Sequence, residues 1–265
     1  MHLRALYIGQ YSEGTTSNKR AEVIGSMLPD HDLQVIDTNI PFYSTNRFFR
    51  SAGFRTKIGP LVWKMEAFIR ERLETAYDLI WVDKAVFLNQ RLTRLLREKA
   101  STLIHYTPDA AFFKNKSSHF QHSIQYYDFA ITTKSFEIGT YLQFIPKEKL
   151  VVIPQGIPQK SLSHIRSFQE KSGFAIFIGL YEPSRGDMVR LLLENSIRVK
   201  VAGKKWNRFV KNVKHPGLVY LGESLFGDKY NQEISNALFG LGLISKRFPE
   251  LHTTRTFEIP ACGTA

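Results

Sequence analysis

The stretch GFAIFIGLYEPSRGDMVRLLLENSIRVKVAG, residues 173–203, reads as a strand, a loop, a helix and a second strand. AIFIGL is a short, unbroken apolar run, whereas MVRLLLE spaces its apolar side chains as a helix does. A strand apolar on both faces and followed at once by a helix is the unit of a parallel sheet, whose two faces are both covered. The same alternation continues in both directions. Upstream, LRALYIG (3–9), LQVIDTN (33–39), DLIWVD (78–83), TLIHYTPD (102–109), YDFAITT (127–133) and KLVVIPQG (149–156) read as strands, with helices over 17–28, 60–77 and 87–100. Downstream, LVYLGES (218–224) and LFGLGLIS (238–245) flank a helix near 227–238. A polar stretch without apolar period separates the two patterns. It predicts a Rossmann-like domain over 1–157, a linker over 158–172 and a second Rossmann-like domain over 173–265. The chain stops at Ala265 inside a predicted helix, so the second domain is expected to be incomplete.

Composition narrows the class. Of 265 residues, 43% are hydrophobic and 23% charged, the mix of a folded domain rather than a disordered chain. No apolar run approaches the roughly 20 residues of a bilayer crossing, and MHLRALYIG lacks the features of a secretory signal. A single cysteine, Cys262, makes no internal disulfide. Cytoplasm is the expected compartment. The net charge of +12 suits a polyanionic partner: a diphosphate ligand, an anionic membrane or nucleic acid.

In open parallel sheets, ligands sit beyond the carboxyl ends of the strands. GQYSEGTTSNKR (9–20) follows the first strand and offers glycines and hydroxyls, but neither a P-loop nor G-x-G-x-x-G. In the second half, Gly179, Glu182 and Arg185 occupy the exit of the strand at 174–178, and Gly203 ends the next strand. Glycine lets backbone N–H groups approach a diphosphate, and arginine pairs with one through a planar fork. The segment LISKRFPELHTTRTFEIPACGTA (243–265) adds Lys246, Arg247 and Arg255 beside Thr253, Thr254 and Thr256, with Glu250 and Glu258 eight positions apart. Cations and helix amides suit a diphosphate, and carboxylates accept hydrogen bonds from sugar hydroxyls.

HTTRTFEIPACGT resembles the donor-site segment of the CgeB-like group of GT-B glycosyltransferases, and Glu250-x7-Glu258 matches the E-x7-E pattern of retaining members of that fold. The resemblance covers most of 174–265 closely and 1–157 only in broad pattern. It implies two Rossmann-like domains facing across a cleft and transfer of a sugar from a nucleoside-diphosphate sugar to a hydroxyl acceptor. It also implies no metal, with Glu258 on the ribose, Glu250 on the donor sugar, and Arg185 and Lys246 on the diphosphate. No bound cofactor is expected. UDP-, GDP- and ADP-sugars all remain open as donors. His105 and Asp109, in HYTPD, are the candidates for catalytic groups from the first half. A nucleotide-sugar epimerase or hydrolase and a non-catalytic basic binding module are the competing readings.

Other patterns read as structure. Asp30-His31-Asp32 is turn chemistry after Pro29 rather than a metal site. His119 and His122 share a helix face but lack the third ligand that zinc requires. Cys262 reads as helix packing. RFFRSAGFRTKIGPLVWK (47–64) interleaves cations with aromatics and is expected to be a long loop whose aromatics plug the core, with contact to an anionic membrane as the next reading and nucleic acid last.

Overall fold

The computed structural model describes residues 3–29, 31–113, 115–157 and 165–265. The chain divides into two compact units, 1–154 and 155–265. Unit 1 runs β1 (Ala5–Gly9), α1 (Thr16–Met27), β2 (Leu33–Asp37), α2 (Asn39–Tyr43), α3 (Arg47–Thr56), α4 (Pro60–Glu71), β3 (Tyr77–Asp83), α5 (Gln90–Lys99), β4 (Ala100–Thr107), α6 (Ser118–Ser123), β5 (Phe129–Thr132), α7 (Ile138–Tyr141) and β6 (Leu150–Val152). Unit 2 runs β7 (Ser172–Ile178), α8 (Pro183–Glu194), β8 (Arg198–Ala202), α9 (Trp206–Val213), β9 (Leu218–Tyr220), α10 (Gly227–Asn236), β10 (Ala237–Gly240) and α11 (Arg255–Ala261).

Each unit is a Rossmann-like α/β layer structure, as the alternation predicts. Every strand pairing is parallel, with sheet orders β2-β1-β3-β4-β5-β6 and β10-β7-β8-β9. The strand order reverses between β1 and β3 in unit 1 and between β7 and β10 in unit 2. These are the switch points at which loops diverge and leave room for a ligand. The unit 1 core lies against one face of the sheet, where Leu6, Ile8, Ile80, Val82 and Leu103 are fully buried under Ile69, Leu92 and Leu96 of the helices. In unit 2, Ala175, Phe177, Val199 and Val201 pack against Val189, Leu193, Trp206 and Phe209.

The predicted helix over 60–77 is shorter than its periodicity suggests. α4 closes at Arg72, and Tyr77 already opens β3, where its hydroxyl bonds to Gln34 at 2.5 Å. Of the predicted linker, residues 158–164 lie outside the described residues. Residues 165–171 are fastened to unit 2, because Arg166 N–H donates to Ser235 Oγ (2.8 Å) and Lys171 Nζ to the Ser235 carbonyl (2.7 Å) and Thr264 Oγ1 (2.9 Å). No helix among the described residues is long and apolar enough to cross a membrane.

Candidate functional site

At the switch point of unit 2, the exit of β7 lies beside the exit of β10, so residues 179–185 meet residues 241–258. Two arginines meet there. Arg185, 5% exposed, donates from Nη1 to the Leu180 carbonyl (2.8 Å) and from Nη2 to the Leu243 carbonyl (3.1 Å). Arg255 reaches the Ile178 carbonyl (3.2 Å) and the same Leu243 carbonyl (3.4 Å). Both guanidinium carbons stand 5.3 Å from the centroid of the Phe177 ring, whose π face attracts cations. The Nε atom of each is buried and has no partner among the described residues, and the same holds for Thr253 Oγ1 and His252 Nε2 in the adjoining loop. Buried polar atoms in folded proteins are almost always hydrogen-bonded, so these orphans in one stretch make the edge a candidate for a polar ligand.

The electrostatics fit that reading. Burial pushes the Arg185 guanidinium below its ordinary pKa, and Arg255 and Arg247 add repulsion, while Glu182 and Glu250 oppose the shift. Glu182 is 6% exposed and lies under the site rather than in it. Ser245 Oγ sits 2.9 and 3.0 Å from its two carboxylate oxygens, and Arg185 Nη1 lies 3.5 Å from Oε1. It therefore ties the 241–250 loop to the start of α8. On the other side, Glu258 Oε2 accepts a 2.5 Å hydrogen bond from the Tyr230 hydroxyl of α10. Burial and the Glu258 carboxylate push the Tyr230 phenol well up, and Arg255 pulls it back. Glu250 thus acts on Arg185, while Glu258 and Arg255 act in opposite senses on Tyr230.

Several sequence-predicted residues have other duties. Gly179 and Gly203 serve packing: a Cβ on Gly203 would stand 2.0 Å from the Gly179 carbonyl oxygen, which also accepts from Trp206 Nε1 (2.8 Å). The start of α11 keeps its donors to itself. The amides of Thr256, Phe257 and Glu258 bond to the Thr253 and Thr254 carbonyls, and the Thr254 hydroxyl donates to Gln155 Oε1 (2.7 Å). Besides the two guanidiniums, this edge carries the exposed cations Lys246 and Arg247. Cys262, 4% exposed, packs with Ile234 and Ile259 as expected.

In unit 1 the expectation for His105 is overturned. The residue lies on β4 but is 1% exposed, with its ring 4.3 Å from the Phe120 ring and 5.5 Å from the Tyr127 ring. It is a core side chain and reaches no substrate. Burial lowers its pKa to about 3, so it folds neutral. Because the unfolded histidine titrates near 6.5, stability is fully present above that pH and falls as protons favour the unfolded chain between about 6.5 and 3, by up to about 1.4 kcal/mol per pH unit. Urea unfolding between pH 7.5 and 5 is expected to show this slope, and His105→Leu to remove it. Parallel pH profiles for the two proteins would contradict the assignment. Asp109, by contrast, is partly exposed, with Lys84 Nζ at 3.0 Å and Asn115 Nδ2 at 3.4 Å from Oδ2.

The switch point of unit 1 holds residues that sequence reasoning passed over. Asp83 ends β3 and is buried. Its Oδ2 accepts from the Tyr7 hydroxyl at 2.5 Å and pairs with Arg20, while Oδ1 has no partner among the described residues. Arg20 also lies 4.1 Å over the Tyr106 ring. Burial, then the Asp83 charge, drives the Tyr7 phenol far above its ordinary range. A terminal Asp in DLIWVD is the only local signal, since the partners come from β1, α1 and β4. His119 Nε2 bonds to the Lys57 carbonyl at 2.7 Å, and no metal-holding group of His, Cys, Asp or Glu occurs among the described residues. Asp30 lies outside the described residues. Asp32 precedes β2, at the amino edge of the sheet and away from the switch point.

Residues 185–265 match a family model described as "Glycosyl transferase-like". The chain is similar to an alpha-glucosyltransferase solved with UDP-glucose and DNA containing an abasic site (11% identity, 99% of this chain and 78% of the other, TM-score 0.65). It is also similar to the apo form of the lipopolysaccharide outer core galactosyltransferase WaaB (13% identity, 93% of this chain and 76% of the other, TM-score 0.54). The chain has the GT-B fold. No curated protein matches it significantly by sequence. Within this GT-B chain, the matched segment begins at Arg185 and contains Leu243, Glu250, Arg255 and Glu258.

Proposed function

We propose that this protein transfers a sugar from a nucleoside-diphosphate sugar to a hydroxyl acceptor, with the donor held at the switch point of unit 2. The observation that carries the proposal is the pair of guanidiniums on Phe177, each with a buried Nε that has no partner among the described residues, inside the segment that matches a glycosyltransferase family model. Lys246, Arg247 and Arg255 meet the diphosphate, and Arg185 fixes the loop that presents them. Glu258, oriented by Tyr230, accepts from the ribose hydroxyls, and Glu250 accepts from the sugar. As the bond from the anomeric carbon to the diphosphate breaks, negative charge grows on the leaving oxygens. Cations fixed at a partly dry edge stabilise that charge more than water would. The acceptor oxygen bonds to the anomeric carbon and gives up its proton to the departing diphosphate. Retention of configuration and independence of a metal belong to the same proposal and rest on the Glu250-x7-Glu258 spacing and the CgeB-like resemblance.

Calorimetric titration with UDP, GDP and ADP tests the site. One of the three is expected to bind, and Glu258→Ala to weaken it by about 1.5–3 kcal/mol, the range for hydrogen bonds to a charged group. Tyr230→Phe is expected to produce a smaller loss, because the carboxylate stays but is no longer oriented. Failure of all three nucleotides to bind the folded wild type would remove the donor assignment.

A further inference from the structure

The segment between Asp37 and Glu66 contains no acidic residue and carries Arg47, Arg50, Arg55, Lys57 and Lys64. It is no core-plugging loop. It folds as α2, α3 and the start of α4, and α3 touches the rest of unit 1 through Gly53, where a Cβ would come within 2.7 Å of Leu61 Cβ, and through the Phe54 ring, whose centroid lies 6.1 Å from that of Phe42 and 6.2 Å from that of Phe87. Apart from Gly53 and half-buried Arg50, every residue of α3 is exposed. Phe48 is 74% exposed and Trp63 68%, and Tyr43, Ile40, Ile58, Phe49 and Phe54 of the same segment are exposed too. A helix on a soluble surface ordinarily turns its apolar side chains to the core. An apolar patch left outward and rimmed by charge marks an interaction surface.

The charges are arranged to meet anions. A groove of about 810 Å³ beside α3 is lined by Phe42, Phe54, Arg47, Arg50, Arg55, Lys57 and Lys116, with no acidic residue in its lining. Arg50 is held in place by the Tyr43 carbonyl (3.2 Å) and the Phe42 and Tyr43 rings, and Lys57 by the Phe54 carbonyl and ring. Among the described residues, nothing fixes Arg47 and Arg55 in a structural role.

We propose that this face of unit 1 docks on an anionic phospholipid bilayer, with Phe48, Phe49 and Trp63 entering the headgroup boundary and Arg47, Arg50, Arg55 and Lys64 meeting lipid phosphates. Long basic side chains beside aromatics suit that boundary, because each presents an apolar body and a polar end. The exposed Ile40 and Ile58 decide against nucleic acid. Phosphates would satisfy the cations, but aliphatic side chains have no partner on a polar nucleic-acid surface.

The test is co-sedimentation of the full chain with vesicles of phosphatidylcholine mixed with phosphatidylglycerol, against phosphatidylcholine alone, with duplex DNA as a third arm. Binding is expected to the mixed vesicles only. Each surface cation contributes about fivefold near an anionic leaflet, so R47E/R55E is expected to weaken binding at least about 20-fold, with an unchanged melting temperature. Phe48→Ser with Phe49→Ser is expected to make the remaining binding vanish as salt is raised, since the unscreened apolar contribution is gone. Equal binding to neutral vesicles, no binding to any vesicle, or loss in R47E/R55E of DNA binding alone would each overturn the proposal. The test needs no donor nucleotide, so its outcome is independent of the donor site in unit 2.

Discussion

Gly203→Ala is expected to unfold unit 2 at temperatures where the wild type is folded. Gly203 has φ +133°, a region that side chains rarely enter, and the added Cβ would stand 2.0 Å from the Gly179 carbonyl oxygen and 2.6 Å from its carbon. Neither backbone can retreat. Gly179 N–H bonds to the Ala202 carbonyl (2.8 Å), Gly203 N–H to the Gly222 carbonyl (2.9 Å), and Trp206 Nε1 to the Gly179 carbonyl (2.8 Å). Backbone strain of roughly 1–3 kcal/mol and overpacking of similar size together approach 4–5 kcal/mol, a large share of a domain's stability. Fluorescence of Trp206 during urea unfolding, with Trp63 and Trp81 replaced by phenylalanine, reads unit 2 alone. A midpoint equal to that of the parent would show that the strands part without cost and would refute the packing role of this glycine.

Arg185→Ala is expected to destabilise unit 2 by roughly 3 kcal/mol as well as to abolish donor binding, because removing one member of a buried ion pair strands the other. Glu182, whose side chain is 7% exposed, would keep only Ser245 among the described residues, the Leu180 carbonyl would lose its guanidinium donor, and the Leu243 carbonyl would keep only Arg255 at 3.4 Å. If the stranded carboxylate is the main cause, Glu182→Gln in the Arg185→Met background recovers part of the loss, and the double-mutant cycle shows coupling of 1 kcal/mol or more, within the roughly 0.5–3 kcal/mol usual for groups in contact. Arg255→Ala is expected to behave differently. Half-buried and bonded only to carbonyls, it should weaken a nucleoside diphosphate about tenfold or more while costing about 1 kcal/mol of stability. Two arginines on one phenylalanine would thus separate by assay. Equal stability losses in the two variants would mean that Arg255 is as structural as Arg185.

Much of unit 2 was legible because its information is local. Strand-sized apolar runs fixed β7 and β8, and the density of Arg, Thr and Glu in 246–258 singled out the segment that follows β10. The aromatic-basic segment 47–64 misled for a physical reason. Its apolar residues have no helical stripe that a core would demand, which suggests a loop, yet the helix forms with those residues outward. His105 misled in the opposite way: a titratable residue at a strand end looks functional, and only the neighbouring Phe120 and Tyr127 make it a core side chain.

The sequence by itself determined the α/β class, the division into two halves and the segment that carries the candidate donor site, since periodicity, turn residues and charge density act over a few residues. Tertiary structure alone decided that Arg185 and Arg255 share Phe177 and the Leu243 carbonyl, that Glu182 lies beneath them and that Tyr230 aims Glu258. It also placed Tyr7, Arg20 and Asp83 together at the other switch point. Those contacts join residues far apart in the chain, and the order in which parallel strands pair, which no short window of sequence records, is what brings them together.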